Sequence, residues 1–215
     1  MMSYIKRLSR GRKENVRALV VGLTGGFGTG KTTVAQMLAA CGATVLDSDR
    51  VVRGLLAATG SCYRAVVRRF GEDIVGKDGE IDKARLAALV FADQQGRRAL
   101  EKIIHPKVCA YLRAKIKEFR RGSGGVLVLE IPLLFEVGME RAVDRVIVVR
   151  ARQKDQVGRA LRGRFSDRRE ILARIKAQWP LSQKLKCADI VIDNRGTLAE
   201  TKKTVQAVWQ MLQTF

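Results

Sequence analysis

Five short apolar runs punctuate this chain at 18–23, 43–47, 126–131, 143–149 and 189–192. They are continuous rather than alternating and rich in Val, Ile and Leu, the pattern of strands buried on both faces. Between them the spacing changes to the helical period. A helix opens at Thr33 after the first run. Helical spacing then dominates 51–119, with breaks expected at Gly60, at the turn Gly76-Lys77-Asp78-Gly79 and at Pro106, and with no convincing strand inside it. A further helical pattern covers 153–178 and is limited by Pro180, and a last helix is expected over 198–212. Strands separated by helices imply a parallel sheet covered on both faces, here a three-layer α/β/α arrangement with five strands. The linker Arg121-Gly122-Ser123-Gly124-Gly125 marks where the sheet resumes. The expected organisation is an N-terminal extension 1–17 and one domain, 18–215. That domain has a core of 18–50, 124–150 and 187–215, a helical insertion 51–120 and a small helical segment 151–180.

Composition narrows the picture. The chain has 215 residues, 47% of them hydrophobic, enough for a substantial core. Lys and Arg number 41 against 21 Asp and Glu, a formal charge of +20 that favours anionic partners: nucleic acid, acidic lipid or a small polyanion. The excess crowds into 1–17 and 150–176, so it asks for two local explanations. No apolar stretch reaches the length of a membrane span, and a soluble cytoplasmic protein is expected. Cys41, Cys62, Cys109 and Cys187 are widely spaced and form no C-x-x-C pair, which argues against a zinc site or a disulfide framework.

Between the first strand and the first helix lies Gly25-Gly26-Phe27-Gly28-Thr29-Gly30-Lys31-Thr32, a full match to G-x-x-x-x-G-K-[ST] in the strand-to-helix context that a phosphate loop requires. Glycines let backbone N–H groups turn toward phosphate oxygens, and the helix N-terminus adds partial positive charge. Lys31 supplies an ammonium, and the Thr32 hydroxyl is a ligand for Mg²⁺. Residues 26–33, that is Gly26, Phe27, Gly28, Thr29, Gly30, Lys31, Thr32 and Thr33, are therefore expected to hold a purine nucleoside triphosphate.

Phosphoryl transfer needs positioning and charge stabilisation more than covalent chemistry. Ligands on parallel sheets bind beyond the carboxyl ends of the strands, where this loop, Asp47 to Asp49 and Glu130 to Glu136 all fall. Asp49 could align or deprotonate an acceptor hydroxyl; the competing role is capping the helix that follows. Asp47 reads as structural or as an outer support for a metal. Glu130 fits an acid that holds Mg²⁺ through water, or an ordinary strand-end carboxylate. Arg159, Arg162, Arg164, Arg168, Arg169 and Arg174 offer cations for a lid over the phosphates, although most are expected to be solvated. Arg174 and Gln178 share a face at helical spacing. His105, the one histidine, precedes Pro106 and has no second histidine to support a hydrolytic scheme.

With these motifs in order, the sequence closely resembles the dephospho-CoA kinase family from about Leu19 onward. The resemblance rests on 23–34 around the phosphate loop, Val45-Leu46-Asp47-Ser48-Asp49, His105-Pro106, Pro132-Leu133-Leu134-Phe135-Glu136, Arg174-Ile175-Lys176-Ala177-Gln178 and Val191-Ile192-Asp193-Asn194. It implies a P-loop kinase fold with a helical substrate-binding insertion and a helical lid, and ATP- and Mg²⁺-dependent phosphorylation of the ribose 3′-hydroxyl of dephospho-CoA. It further implies catalytic roles for Asp49, Lys31 and Arg162, nucleotide contacts from the loop, Arg174, Gln178 and Asn194, and Mg²⁺ at Thr32 and Glu130. Thr24, Asp49, His105, Pro132 and Leu133 would meet the acceptor. The family's lid carries two arginines four residues apart; Arg162 matches the second, Gly158 stands at the first, and Arg159 beside it is the substitute. The extension 1–17 lies outside the resemblance. A kinase for another small alcohol or nucleotide lacks this motif set, and a nucleic-acid-dependent ATPase lacks support beyond the charge, so no specific nucleic acid and no membrane is expected as partner. Oligomeric state is open between a monomer and a small homo-oligomer.

Overall fold

A computed structural model describes residues 18–122, 124–162 and 167–215. The extension 1–17 and Arg164 lie outside the described residues. Five strands are present: β1 (Ala18–Gly25), β2 (Thr44–Asp47), β3 (Gly125–Glu130), β4 (Arg145–Arg150) and β5 (Ile190–Asp193). They form one sheet in the order β2-β3-β1-β4-β5, and each neighbouring pair is parallel. β1 is therefore central, and the chain leaves it first toward one edge and later toward the other, which opens a crevice beyond its carboxyl end.

The continuous apolar runs are explained by burial on both faces. Leu19, Val21, Leu23, Val126, Val128, Ile147 and Val149 pack under α1 (Lys31–Ala40) and α9 (Leu198–Leu212). The alternate residues Val20, Leu127, Leu129, Val146 and Val148 pack under α5 (Gln94–Arg120) and the segment after β3. The two layers of helix complete the expected sandwich.

The insertion between β2 and β3 is helical: α2 (Ser48–Leu56), α3 (Tyr63–Phe70), α4 (Lys83–Ala92) and α5. It has a small core of its own around Cys62, Val66, Ile74, Ile81 and Leu86. Gly60 and the Gly76 to Gly79 turn do interrupt it, with the Gly79 N–H donating to the Gly76 carbonyl at 3.0 Å. Pro106 does not. It lies inside the 27 residues of α5, where a proline removes one main-chain bond and costs about 3 kcal/mol. The buried stripe Ile104, Val108, Leu112 and Ile116 outweighs that loss, at about 1.5–3 kcal/mol for each side chain.

The basic pattern expected as one helix over 153–178 is two, α6 (Gln153–Arg162) and α7 (Arg168–Lys176), the second capped by Asp167, which accepts from the Arg169 N–H at 2.7 Å. Pro180, which limits that pattern, also begins α8 (Leu181–Lys186), a six-residue helix too short to give a periodic signal.

Candidate active site

β1 delivers the chain into the phosphate loop, and the glycines there are needed for two separate reasons. Gly28 and Gly30 have φ of +72° and +89°, in the left-handed region. Space is also short: a Cβ at Gly28 would stand 2.7 Å from the Gln156 carbonyl oxygen, and one at Gly30 would collide with the Asn194 side-chain nitrogen. Gly30 caps α1 without a side chain, so the helix opens directly onto the loop.

Neighbouring elements brace the loop from outside. The Thr29 hydroxyl donates to the Gly26 carbonyl at 2.9 Å. The Thr29 carbonyl accepts from Asn194 Nδ2 at 2.8 Å and from Arg159 Nη1 at 3.1 Å. Asn194 Oδ1 in turn accepts from the Thr201 hydroxyl at 2.9 Å, and Arg159 Nη2 donates to the Asn194 carbonyl at 2.8 Å. Asn194, expected at the nucleotide, thus stands behind the loop with both ends of its amide engaged. Arg159 rather than Arg162 is the α6 cation that reaches the loop; Arg162 stands exposed at the last position of α6.

Inside the crevice, Lys31 is buried and its Nζ donates to the Gly26 carbonyl at 2.9 Å. Burial lowers its pKa to about 8; Lys184 adds to the depression, while Glu130, Asp49 and Glu136 oppose it. The Thr32 hydroxyl donates to Glu130 Oε1 at 2.7 Å. Burial raises the Glu130 pKa, with Asp47 and Asp49 adding to the rise and Thr32 and Lys31 countering it. Glu130 sits at the end of β3 directly opposite Asp47 in the β2–β3 register. Asp47 is the N-cap of α2: its Oδ1 accepts from the Asp49 N–H at 2.8 Å. The capping role weighed for Asp49 therefore falls to Asp47, and Asp49 is an exposed first-turn residue whose charge is felt at Lys31 and Glu130.

Beside this cluster a cleft of about 1000 Å³ runs between α1 and α2, lined by Thr32, Gln36, Asp47, Arg50, Arg53 and Glu130 with Tyr111 of α5. A smaller cavity of about 270 Å³ lies against Gly26 and is lined by Gln156, Gln178 and Trp179. Arg174 donates to Glu170 through Nε and Nη2 at 3.1 and 2.8 Å, and its guanidinium lies 5.9 Å from the Phe27 ring centroid. Both Arg174 and Gln178 border the loop, but not on a shared helical face, because α7 ends at Lys176.

Thr24 corrects an expectation. It is fully buried, and its hydroxyl donates to the Pro132 carbonyl at 3.2 Å, so it ties β1 to the turn after β3 and presents no surface to an acceptor. Pro132 and Leu133 are part-exposed in that turn. His105 is half-buried within α5, with its pKa lowered by burial against the pull of Glu101 and Glu136.

Two charged residues in this region were not foreseen as site residues. Lys184, fully buried in α8, donates to the Pro132 carbonyl at 2.7 Å and pairs with Glu136 at 2.8 Å. The only trace of Lys184 in the sequence is its place among the apolar residues Leu181 and Leu185, while Glu136 closes the Pro132-to-Glu136 motif.

A family model described as dephospho-CoA kinase matches residues 19–200. The chain belongs to the dephospho-CoA kinase family. It is 39% identical over 191 residues to a dephospho-CoA kinase of Carboxydothermus hydrogenoformans, covering 89% of this chain and 93% of that protein. It is 39% identical over 198 residues to one of Geobacillus kaustophilus, covering 91% and 98%. A crystal structure of a Thermus thermophilus protein superposes with a TM-score of 0.73 at 36% identity over 91% of this chain and 98% of that one. The dephospho-CoA kinase from Campylobacter jejuni, at 23% identity and a TM-score of 0.68, shares the fold over 91% and 97% of the two chains. The family model spans the loop, its braces Arg159 and Asn194 and the carboxylate cluster, and ends one residue before Thr201.

Proposed function

We infer that this chain transfers the γ-phosphoryl group of ATP to the ribose 3′-hydroxyl of dephospho-CoA, giving CoA and ADP, the last step of coenzyme A synthesis. One observation carries the reading: in a chain of this family, Lys31 of the phosphate loop and the Thr32–Glu130 pair at 2.7 Å lie within electrostatic reach of Asp49, beside a cleft of about 1000 Å³.

In this reading the loop N–H groups and Lys31 hold the β- and γ-phosphates. Thr32 and Glu130 are suited to hold Mg²⁺. Both offer hard oxygens, and the buried Glu130 carboxylate, its pKa raised, gains from a cation. Among the described residues no three His, Cys, Asp or Glu side chains gather into a metal cage. When bound, the ion neutralises charge on the transferring group. Asp49 aligns the 3′-hydroxyl and receives its proton as the oxygen bonds to the γ-phosphorus and the bond to the bridging oxygen of ADP breaks. The insertion, with Arg50 and Arg53 on the cleft wall, holds the acceptor, and His105, Pro132 and Leu133 border it from the β3 side. α6 and α7 supply the lid, with Arg159, Arg162, Arg174 and Gln178 as its polar contacts. Among the described residues no helix is long and apolar enough to cross a membrane. Both reactants are water-borne nucleotides, which supports the cytoplasm as the site of action.

The test is direct. Purified protein with Mg-ATP converts dephospho-CoA to CoA, detected by chromatography of the product; binding of ATP without any CoA formed would overturn the assignment.

A further inference from the structure

The lid's last helix does not simply follow the core; side-chain contacts root it there. At the foot of α7 the Trp179 N–H donates to Glu136 Oε1 at 2.8 Å, and the Trp179 ring stacks on Phe135 at 5.8 Å and 8°. The same Glu136 oxygen meets Lys184 Nζ at 2.8 Å. Lys184 Nζ also donates to the Pro132 carbonyl, the group that receives the Thr24 hydroxyl. Thr24 adjoins Gly25, where the phosphate loop begins, and the loop's Phe27 lies under Arg174 of α7. The contacts form a closed circuit: loop, Thr24, Pro132, Lys184, Glu136, Trp179, α7, and back to the loop.

We propose that the buried Lys184–Glu136 pair positions α7 for catalysis, fixing its root so that Arg174 and Gln178 stand over the phosphate loop. Two features favour positioning over plain stabilisation. Glu136 directs both contacts through Oε1 and leaves Oε2 buried with no hydrogen-bond partner among the described residues, an uncompensated penalty that a purely stabilising pair does not carry. A buried ion pair is in any case a poor source of stability compared with apolar residues of similar volume. The pair also reaches the loop by field: Lys184 and Glu136 both act on the Lys31 ammonium.

The proposal rests on the nucleotide-binding half of the functional reading, and the experiment separates the two. Lys184→Met combined with Glu136→Gln removes both charges while keeping an acceptor for Trp179, so no orphan charge is left buried. With this double variant, kcat is expected to fall about tenfold or more while the ATP KM moves less than about threefold, because positioning acts in the transition state. In parallel, amide exchange in α7, which Mg-ATP slows in the wild type, is expected to lose at least about half of that protection. Trp179→Leu, which cuts the exposed stacked ring and leaves the ion pair in place, is expected to shift both readouts the same way and serves if the double variant does not fold. Wild-type kcat and wild-type α7 protection in a folded variant would make the pair merely structural and overturn the proposal. A raised KM for dephospho-CoA at unchanged kcat would instead make Glu136 an acceptor contact, and would overturn it too. A wild-type α7 indifferent to Mg-ATP also overturns it. A wild type that protects α7 with Mg-ATP yet makes no CoA overturns the substrate reading alone.

Discussion

Lys31 makes the loop's electrostatics measurable. In the ligand-free chain its pKa is about 8 against the ordinary 10.5, chiefly through burial, a displacement worth about 3 kcal/mol. The folded chain then binds fewer protons than the unfolded one between pH 8 and 10.5, so the destabilisation is fully present below pH 8 and is relieved as the pH rises through that window. A polyphosphate placed against Nζ favours the ammonium and drives the pKa back up. Nucleotide binding should therefore take up about half a proton at Lys31 at pH 8 and about a tenth at pH 7. Titration calorimetry at pH 8 in buffers of different ionisation enthalpy reads this number as the slope of binding heat against buffer enthalpy. Lys31→Arg supplies the control, since arginine stays charged throughout and should show no such uptake. Uptake below about a tenth of a proton at pH 8, or the same uptake in Lys31→Arg, would refute the reasoning.

Four further substitutions probe the rest of the site. Asp49→Asn should lower kcat about 10²- to 10⁴-fold with the ATP dissociation constant held within a factor of about three, and near-native turnover would strip Asp49 of its role in the transfer. Asn194→Ala removes the hydrogen bonds to Thr29 and Thr201, so denaturant unfolding should show a loss of about 2–3 kcal/mol together with weaker ATP binding. Arg159→Ala should raise the ATP KM about five- to tenfold by loosening the loop, whereas Arg162→Ala should act on kcat if it acts at all. Equal effects on KM would remove the distinction between them.

Much of this was legible in the sequence, for physical reasons that also mark where legibility stops. The five strands and α9 show themselves because period and apolarity are local properties. The loop shows itself because left-handed φ values restrict Gly28 and Gly30 to glycine. Contacts between distant segments leave no such trace. The family resemblance implies that Thr24 meets the acceptor, but the turn carrying Pro132, 108 positions later, covers it. A cap at Asp49 would start α2 at Arg50; the helix starts two residues earlier, at Ser48, and the cap falls to Asp47. The lid arginines differ in the same manner. Arg159 and Arg162 are one turn apart on α6, and only the rotation of the helix against the loop makes Arg159 the one that touches Thr29.

The two sides of the crevice are built differently. On the donor side a glycine-rich loop would lose much conformational freedom on ordering. Here its Thr29 carbonyl is held from the β5–α9 connection and from α6 at once, contacts that restrain the loop and reduce the entropy lost on binding a nucleotide. On the acceptor side Asp47, Arg50 and Arg53 line an open cleft of about 1000 Å³, and part of the insertion that walls it has a small core around Cys62 and Val66. α2 and α5 of that wall also pack on the sheet, through Val51, Leu55, Ile104 and Leu112 against Leu127 and Leu129, so the cleft is tied to the same β1–β3 register that holds Thr32 against Glu130. An acceptor hydroxyl that enters the open cleft then meets a phosphate loop set by the same core, so what the fold supplies to the transfer is alignment.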